Sequence, residues 1–337
     1  MAYERNEMDL EKLSEVKHLS EWLPRLGEDL YKRGDKPTLS INSLPTFSRL
    51  IWGLKEGGLT VIGARTSQGK SSFALQIAND IASQGIPVWF LSLEMSVPDL
   101  LERLFCHTMY VDNYSVLSGQ MKMDRGIQRK FLQFKEMCED SSLLITEGIG
   151  KGWEEIYHLI EAVGEKPKVI IVDYIQNIAF RSGETREIIN DYIRKFRNLA
   201  IKHNFAGILC SQINRGAEDQ KGKEPALAQL KETGFLEESA DMAILLHWRG
   251  FYDKVDAPTT EYIVNVAKNR NGRTGEHKFY YTPMFYRFTE TTKEIEKFLK
   301  KEAPDHALAA AGEKVEKVLE MFGGSIIDGE RDVRRTM

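Results

Sequence analysis

The sequence predicts an α/β fold in which a mainly parallel sheet, flanked by helices, continues into an antiparallel C-terminal ribbon. Short apolar runs alternate with amphipathic stretches of helical length between residues 59 and 248. This alternation is typical of parallel strands that are buried on both faces. A segment with the spacing G-x-x-x-x-G-K-S joins the first strand to the first of these helices, which is the position of a phosphate-binding loop.

The strands of the parallel sheet are predicted from apolar runs. They cover residues 59–64, 87–94, 142–146, 168–176, 206–212 and 242–248. The stretches between them have apolar residues at helical spacing. They predict helices near residues 70–84, 97–109, 125–139, 153–163 and 186–203.

The ribbon is predicted from three later runs, at residues 261–267, 277–282 and 284–289. The first two are joined across Asn271-Gly272, and an Asn-Gly pair between apolar runs is a strong hairpin signal.

The two ends of the chain read differently from this core. Residues 1–35 are mostly polar, with apolar positions at near-helical spacing, and predict one or two short amphipathic helices. Their apolar stripe must be buried, either on the chain's own core or on a neighbouring subunit. Residues 291–337 are charged and helix-prone. We therefore expect a docking segment at 1–35, a core at 36–290 and a helical tail at 291–337.

Composition excludes several classes of protein. The chain has 337 residues, 42% of them hydrophobic and 28% charged, which is enough apolar surface for a core. A formal net charge of −4 excludes a basic coat but leaves room for a local basic site, such as the lining of a pore. The three cysteines form no CxxC pair, and no run is long enough to cross a membrane. We expect a cytoplasmic protein without a secretory signal, a disulfide scaffold or a metal-binding His cluster.

The glycine-rich segment at residues 63–71 predicts a triphosphate site. Its glycines allow backbone N–H groups to turn inward around an anion, and the N-terminus of the following helix adds to the positive field. A lysine here reaches the β and γ phosphates, and the hydroxyl after it ligates Mg²⁺. The candidate ligands are Gly63, Arg65, Ser67, Gly69, Lys70, Ser71 and Ser72.

Three polar residues end other strands at the edge where ligands of open α/β sheets bind. Asp173 follows four aliphatic residues and fits a Mg²⁺ role, or it is a capping or surface residue. Glu94 fits a general base for the attacking water, or it is a solvated loop residue. Gln212 fits a sensor of the γ-phosphate, or it is a plain polar strand end.

Taken together, several segments resemble the hexameric replicative DNA helicases of the DnaB type, which have a RecA-like core. The resemblance spans roughly residues 50 to 288, with the segments in the family's order. They are GARTSQGKSSFALQIA, FLSLEMS, VIIVDYIQ, ILCSQINR, LKETGFLEESADMAILL and AKNRNGRTGEHKF. The resemblance implies an ATP-driven ring, of six subunits, that unwinds DNA.

The resemblance also implies residue roles. Lys70 and Ser71 bind ATP and Mg²⁺, Asp173 belongs to the metal site, Glu94 is the catalytic carboxylate and Gln212 the coupling glutamine. A second group of residues acts around the nucleotide: Lys268 and Arg270 reach a neighbouring subunit's nucleotide, and Arg249 lies near the base. An arginine finger supplied in trans neutralises charge on the transferring phosphoryl group. The alternative for Lys268 and Arg270 is a solvated basic hairpin tip.

Single-stranded DNA is implied to bind two loops that follow Asp173 and Gln212. The implied phosphate contacts are Arg181, Arg186, Arg215, Lys221 and Lys223. Acidic residues are interleaved with these cations, so a solvated mixed-charge loop is the open alternative for each. The loops carry no aromatic residue suited to base stacking, which favours tracking of the backbone over reading of the sequence.

The chain departs from the family at both ends. Only about 50 residues precede the segments that resemble the family, where these helicases carry a helical domain that contacts primase. The tail binds a loader or primase, or it caps the core.

Two other functions keep the same fold. One is a RecA/KaiC-like DNA-binding ATPase, a recombinase or a regulatory protein, that unwinds nothing. The other is a nucleotide-gated scaffold.

Overall fold

The computed structural model of the chain describes most of its length. The described residues are 18–32, 34, 37, 39–122, 124–163, 166–178, 186–213, 225, 234–252 and 259–293. The chain divides into two units, Met1–Thr38 and Leu39–Met337. The tail expected at residues 291–337 lies outside the described residues from position 294 onward, and the expected domain borders stay a prediction.

The described part of the first unit is a single amphipathic helix, α1 (Leu19–Lys32). Its leucines at positions 19, 23, 26 and 30 follow one another at steps of four, three and four residues, so they share one face. Each of these leucines is 48–75% exposed. A helix of this kind has an apolar face to bury, as the sequence predicts.

The second unit is built on one sheet. Within the described residues its strands are β1 (Leu59–Ala64), β2 (Val88–Ser92), β3 (Leu143–Glu147), β4 (Val169–Asp173), β5 (Ala206–Gln212), β6 (Met242–His247), β7 (Thr260–Asn269), β8 (Gly275–Thr282) and β9 (Arg287–Thr289). Their order across the sheet is β3-β2-β4-β5-β1-β6-β7-β8-β9. Pairing is parallel from β3 to β6 and antiparallel from β6 to β9.

Helices connect the parallel strands. Those of the second unit, among the described residues, are α2 (Pro45–Ile51), α3 (Lys70–Ala82), α4 (Val97–Met109), α5 (Asn113–Leu117), α6 (Arg125–Glu139), α7 (Trp153–Val163), α8 (Arg186–His203), α9 (Gly234–Ser239) and α10 (Arg249–Tyr252). Their starts follow local chemistry. Ser96 accepts a hydrogen bond from the Asp99 backbone N–H to cap α4, and Asp124 caps α6 in the same way.

The sheet is covered on both faces. Alternate residues of β4 point to opposite sides, with Val169 and Ile171 in one apolar cluster and Ile170 and Val172 in the other. All of these side chains are buried. This explains why the strands are continuous apolar runs rather than alternating ones.

The predicted fold class is confirmed, with one local difference in the ribbon. The run 284–289 forms a 3₁₀ turn at Pro283–Phe285 before the short strand β9. This difference arises where a turn, rather than apolar periodicity, determines the backbone. The predicted hairpin between β7 and β8 is confirmed, and its loop occupies residues 270–274 around Asn271-Gly272.

Candidate active site

The phosphate-binding segment lies between β1 and α3, as its motif predicts. Ser67 and Gly69 adopt left-handed backbone conformations with φ of 62° and 77°. Only glycine takes such angles without strain, and in a nest they turn successive N–H groups toward one point. The loop therefore has the backbone of an anion site that opens onto the N-terminus of α3.

Lys70 and Asp173 form a buried ion pair beneath this loop. Lys70 Nζ lies 2.6 Å from Asp173 Oδ1, and the Asp173 side chain is fully buried. Burial opposes the lysine charge, but Asp173 and the surrounding negative groups outweigh it and raise the pKa of Lys70. The ammonium also lies 4.2 Å from the centre of the Tyr174 ring. Lys70 is thus held charged at the mouth of the phosphate loop.

The second oxygen of Asp173 suits a metal shell. Oδ2 is buried and has no hydrogen-bond partner among the described residues. Ser71, the other expected metal ligand, begins α3 beside Lys70. In the described part of the chain no cluster of three or more His, Cys, Asp or Glu could hold an ion. Mg²⁺ binds through one or two protein oxygens together with water and phosphates, so this sparse donor set fits Mg²⁺ that accompanies a nucleotide.

Glu94 lies just beyond the end of β2 and is exposed. Its charge helps to raise the pKa of Lys70, and after burial it is the next cause that raises the pKa of Tyr174. Glu94 therefore lies close enough, at the neighbouring strand end, to act on Lys70 and Tyr174 through its charge. A carboxylate in that position, open to solvent, can contact a water molecule at the phosphate site.

Gln212 connects the end of β5 to the phosphate loop. Its Nε2 donates a hydrogen bond of 2.7 Å to Thr66 Oγ1. The backbone of Gln212 in turn accepts and donates hydrogen bonds with the Gln176 side chain. The strand end is therefore bonded to the phosphate loop through one side chain.

The C-terminal ribbon supports the loop from the other side, which the sequence did not reveal. The Tyr262 hydroxyl of β7 donates a hydrogen bond to the Gln68 carbonyl. Gln68 Oε1 accepts a 2.7 Å hydrogen bond from the Trp248 backbone N–H. An aromatic run in a strand predicts only core packing, so these contacts need the sheet order to become visible.

Lys268 and Arg270 lie at the far end of β7 and bond to their own chain. Lys268 Nζ donates to the Glu237 carbonyl at 2.5 Å, and Arg270 Nη2 donates to the Glu238 carbonyl at 2.8 Å. Arg270 Nη1 also lies 3.4 Å from Asp241 Oδ1. Burial and the adjacent Arg270 lower the pKa of Lys268. Both side chains thus rest on the C-terminal carbonyls of α9.

Of the remaining residues expected to contact the base or DNA, the structure describes the contacts of Arg249 alone. Arg249 begins α10, and its Nη1 lies 3.4 Å from Glu261 Oε1. The expected DNA contacts Arg181, Arg215, Lys221 and Lys223 lie outside the described residues. Arg186 begins α8, but its side chain is not among those that the structure describes.

Residues 42–290 match the family of DnaB-like helicase C terminal domains. This match covers well over half of the chain. The chain belongs to this family. Because the proteins of this family are NTPases, membership implies that the chain binds a nucleotide, in agreement with the phosphate loop and its ion pair.

Relatives of this DnaB-like domain include a "Replicative DNA helicase DnaB" of Leifsonia xyli subsp. xyli (strain CTCB07), 29% identical over 260 residues. That similarity covers 74% of this chain and 56% of the relative. The chain spans about half the length of the curated relatives it matches.

Solved structures share the fold of the DnaB-like domain. One of them, an isolated ATPase domain, superposes with a TM-score of 0.75 at 22% identity, over 81% of this chain and 99% of that one. A structure of a DnaB-like replicative helicase and its interactions with primase gives a TM-score of 0.73 at 22% identity, over 83% of this chain and 70% of that one.

Of the helices described in this chain, none is both long and apolar enough to cross a bilayer.

Proposed function

We propose that this chain is the motor of an ATP-dependent DNA helicase that works as a ring on single-stranded DNA. The observation that carries the proposal is the 2.6 Å Lys70–Asp173 pair beneath the phosphate loop, in a chain of the DnaB-like family. A buried, charged lysine and an adjacent carboxylate are what a triphosphate and its cation require.

Each side chain of the site then has a chemical task. Lys70 and the loop backbone hold the β and γ phosphates of ATP, and Ser71 and Asp173 hold Mg²⁺. The ion, when bound, neutralises charge on the phosphate oxygens. Binding of ATP exchanges the Lys70–Asp173 contact for contacts with phosphate. Glu94 accepts a proton from the water that attacks the γ phosphorus. The bond from that phosphorus to the β–γ bridging oxygen breaks, and ADP and inorganic phosphate are the products.

The hydrolysis site is completed by a second copy of the chain. Lys268 and Arg270 leave the carbonyls of α9 and reach the triphosphate held by the neighbouring subunit. Lys268 exchanges neutral carbonyl partners for a polyanion, and Arg270 exchanges one carbonyl and the single Asp241 carboxylate for it, so the exchange favours the assembled, ATP-bound state. Arg249 contributes on the side of the nucleotide base.

DNA binding is assigned to the segments that follow Asp173 and Gln212. Cations in six copies of these segments would each neutralise a phosphate and release a counterion, so a modest charge per copy gives useful affinity. The proposed contacts remain Arg181, Arg186, Arg215, Lys221 and Lys223. Differences in DNA affinity between nucleotide states drive translocation.

Further partners are assigned to the ends of the chain. One related solved structure describes interactions with primase, and a loader or primase is the proposed partner of the tail at 291–337. The helix at Leu19–Lys32, with its exposed leucines, is proposed to dock on a neighbouring subunit. The segment before residue 36 is then a linker, and residues 36–290 are the motor.

The decisive experiment measures ATP hydrolysis and strand displacement on a forked duplex in parallel. The wild type is expected to hydrolyse ATP faster with single-stranded DNA and to displace the strand, while Lys70→Ala does neither. Lys135→Ala removes an exposed lysine of α6 and is the matched control. An unchanged ATPase in Lys70→Ala would refute the proposed site.

The second candidate function is a DNA-binding ATPase without unwinding. It uses the same site, because the phosphate loop and the Lys70–Asp173 pair serve nucleotide hydrolysis whether or not strands are separated. DNA-stimulated hydrolysis without strand displacement, on forks with either polarity of tail, would select this alternative.

A further inference from the structure

A short turn directly after Asp173 is bonded to the strands on both sides of β4. This turn, Ile175–Asn177, carries two amide side chains that the ATPase chemistry above does not use. Gln176 reaches toward β5, and Asn177 reaches toward the end of β2. Both amides are half-buried, so the turn is placed to connect three strand ends.

Gln176 takes the place of a missing strand partner. The β4–β5 ladder ends with the pair Val172 and Leu209, although β5 continues to Gln212. Beyond that point Gln176 Nε2 donates to Ser211 Oγ at 2.8 Å and to the Gln212 carbonyl at 3.2 Å. Gln176 Oε1 accepts from the Gln212 backbone N–H at 3.2 Å. One side-chain amide thus satisfies both backbone groups of Gln212.

Asn177 makes the connection on the other side. Its Nδ2 donates to the Leu93 carbonyl at 3.3 Å, and the Leu93 N–H donates to the Asp173 carbonyl at 2.7 Å. Leu93 immediately precedes Glu94. The backbone that carries the expected general base is therefore bonded to the same turn that holds Gln212.

The chain of contacts ends on the phosphate loop, where Gln212 Nε2 donates to Thr66 Oγ1. Thr66 is thus connected to Gln212 by this bond, and Gln212 is connected to the turn by the hydrogen bonds of Gln176, so a displacement of Thr66 would be passed along them. The turn leads directly into residues 179–185, and β5 leads into residues 214–224, the two segments proposed to contact DNA. The Gln176 amide therefore lies close to the start of both segments.

We infer that Gln176 is a positioning residue that locks the ends of β4 and β5 together, so that nucleotide state at the phosphate loop reaches both DNA segments at once. Asn177 extends the lock to the strand end that carries Glu94. The inference rests on the proposed function, since it names a further residue, beside Gln212, that couples hydrolysis to DNA in that site. Neither amide touches the reacting atoms.

The test is Gln176→Met, which keeps the side chain's length and removes its donors and acceptor. ATP hydrolysis is measured with and without oligothymidylate. The expected result is a KM for ATP within about two-fold of the wild type and a loss of roughly five-fold or more in the DNA stimulation of kcat. A residue that only supported the fold would change KM and stability together and would leave the stimulation ratio in place.

Gln128→Met is the matched control, because Gln128 is an exposed glutamine that bonds to the Lys122 carbonyl away from this site. Full DNA stimulation in a folded Gln176→Met protein overturns the inference and leaves the proposed function intact. A wild type without any DNA stimulation overturns the proposed function itself, and the inference with it.

Asn177→Ala provides a second route if Gln176→Met does not fold, as judged by thermal unfolding. It releases the Leu93 carbonyl and leaves every hydrogen bond of Gln176 in place. We expect a smaller fall in the DNA stimulation ratio, with nucleotide binding unchanged. Stimulation equal to that of the wild type in Asn177→Ala would then count against the lock.

Discussion

At the scale of single residues, Gly69 is needed in the phosphate loop for two independent reasons. Its φ of 77° lies in the left-handed region, which L side chains rarely adopt. A Cβ at this position would also lie 3.1 Å from Phe288 Cζ, closer than ordinary van der Waals contact. Conformation and space both disfavour a larger residue where the loop turns into α3.

Gly69→Ala is therefore expected to weaken nucleotide binding. The left-handed backbone costs an alanine about 1–2 kcal/mol, which corresponds to roughly ten-fold in affinity if the loop relaxes to avoid it. Titration with a fluorescent ATP analogue measures the effect. Gly85→Ala is the control, because Gly85 has φ of 75° but open space around its Cβ. Equal affinities for the two variants would contradict the role of Gly69.

His107 is a second residue whose surroundings determine a chemical property, here the pKa of its imidazole ring. Burial, and then the nearby Arg287 charge, lower the pKa of His107 from 6.5 to about 3. The neutral ring contacts Arg287, with Nε2 3.3 Å from Nη1, so the guanidinium donates to the imidazole. Protonation would place two positive groups against each other in the core.

We expect this histidine to destabilise the fold as the pH falls. The unfolded chain takes up a proton near pH 6.5 and the folded chain does not, so stability is complete above that pH. It then decreases toward pH 3 by up to about 1.4 kcal/mol per pH unit. Urea unfolding at pH 7 and pH 5 should show a smaller difference for His107→Gln than for the wild type. The exposed His158→Gln should keep the wild-type difference.

Sequence reasoning finds the residues whose chemistry is local. Lys70 and Ser71 follow from the spacing of one motif, and Asp173 from a lone charge at the end of an aliphatic run. The roles of Gln176 and Tyr262 do not follow, because each bonds to a segment that only the strand order brings near it. Such contacts carry no periodic signal in the chain.

At the scale of elements, the helices predicted at residues 97–109, 125–139, 153–163 and 186–203 match the observed bounds. These helices are long enough for several turns to repeat the apolar spacing. Short helices such as α2 and α5, with seven and five residues, contain too few turns to show it. Length, rather than composition, decided which helices were predictable.

The edge strand β9 is held to α3 by one buried amide. Gln76 Nε2 donates to the Phe288 carbonyl and Gln76 Oε1 accepts from the Phe288 N–H, each at 2.9 Å. Gln76 is 1% exposed, so neither backbone group could find water if the amide were removed. A single glutamine of α3 thus completes the hydrogen bonding of β9.

Gln76→Leu is expected to lower the free energy of unfolding by about 2–4 kcal/mol, because it leaves a buried donor and a buried acceptor unpaired. Guanidinium unfolding measures the loss. Gln133→Leu, on the exposed face of α6, is the matched change and should alter stability by less than about 0.5 kcal/mol. A loss in Gln76→Leu no larger than in the control would mean that β9 is held by other contacts.

At the scale of the whole molecule, the proposed role of Lys268 and Arg270 depends on a second copy of the chain. In this structure both cations bond to the carbonyls of Glu237 and Glu238 at the end of α9. Lys70 and Asp173 lie instead at the carboxyl ends of the parallel strands. The resemblance implied fingers that act in trans, and to do so both cations must exchange these contacts within the chain for a neighbour's triphosphate.

Mixing two inactive variants tests this arrangement directly. Lys70→Ala should not hydrolyse ATP, while Arg270→Ala should bind ATP and fail to turn it over. In an equal mixture, a subunit with Lys70 meets a neighbour with Arg270 at about a quarter of head-to-tail interfaces, so ATPase activity should partly return. Normal turnover by Arg270→Ala alone would refute the finger. An inactive mixture would also refute it, provided that native mass measurement shows both variants in one assembly. In that case Arg270 would have been supplied by the neighbour and would have had no effect.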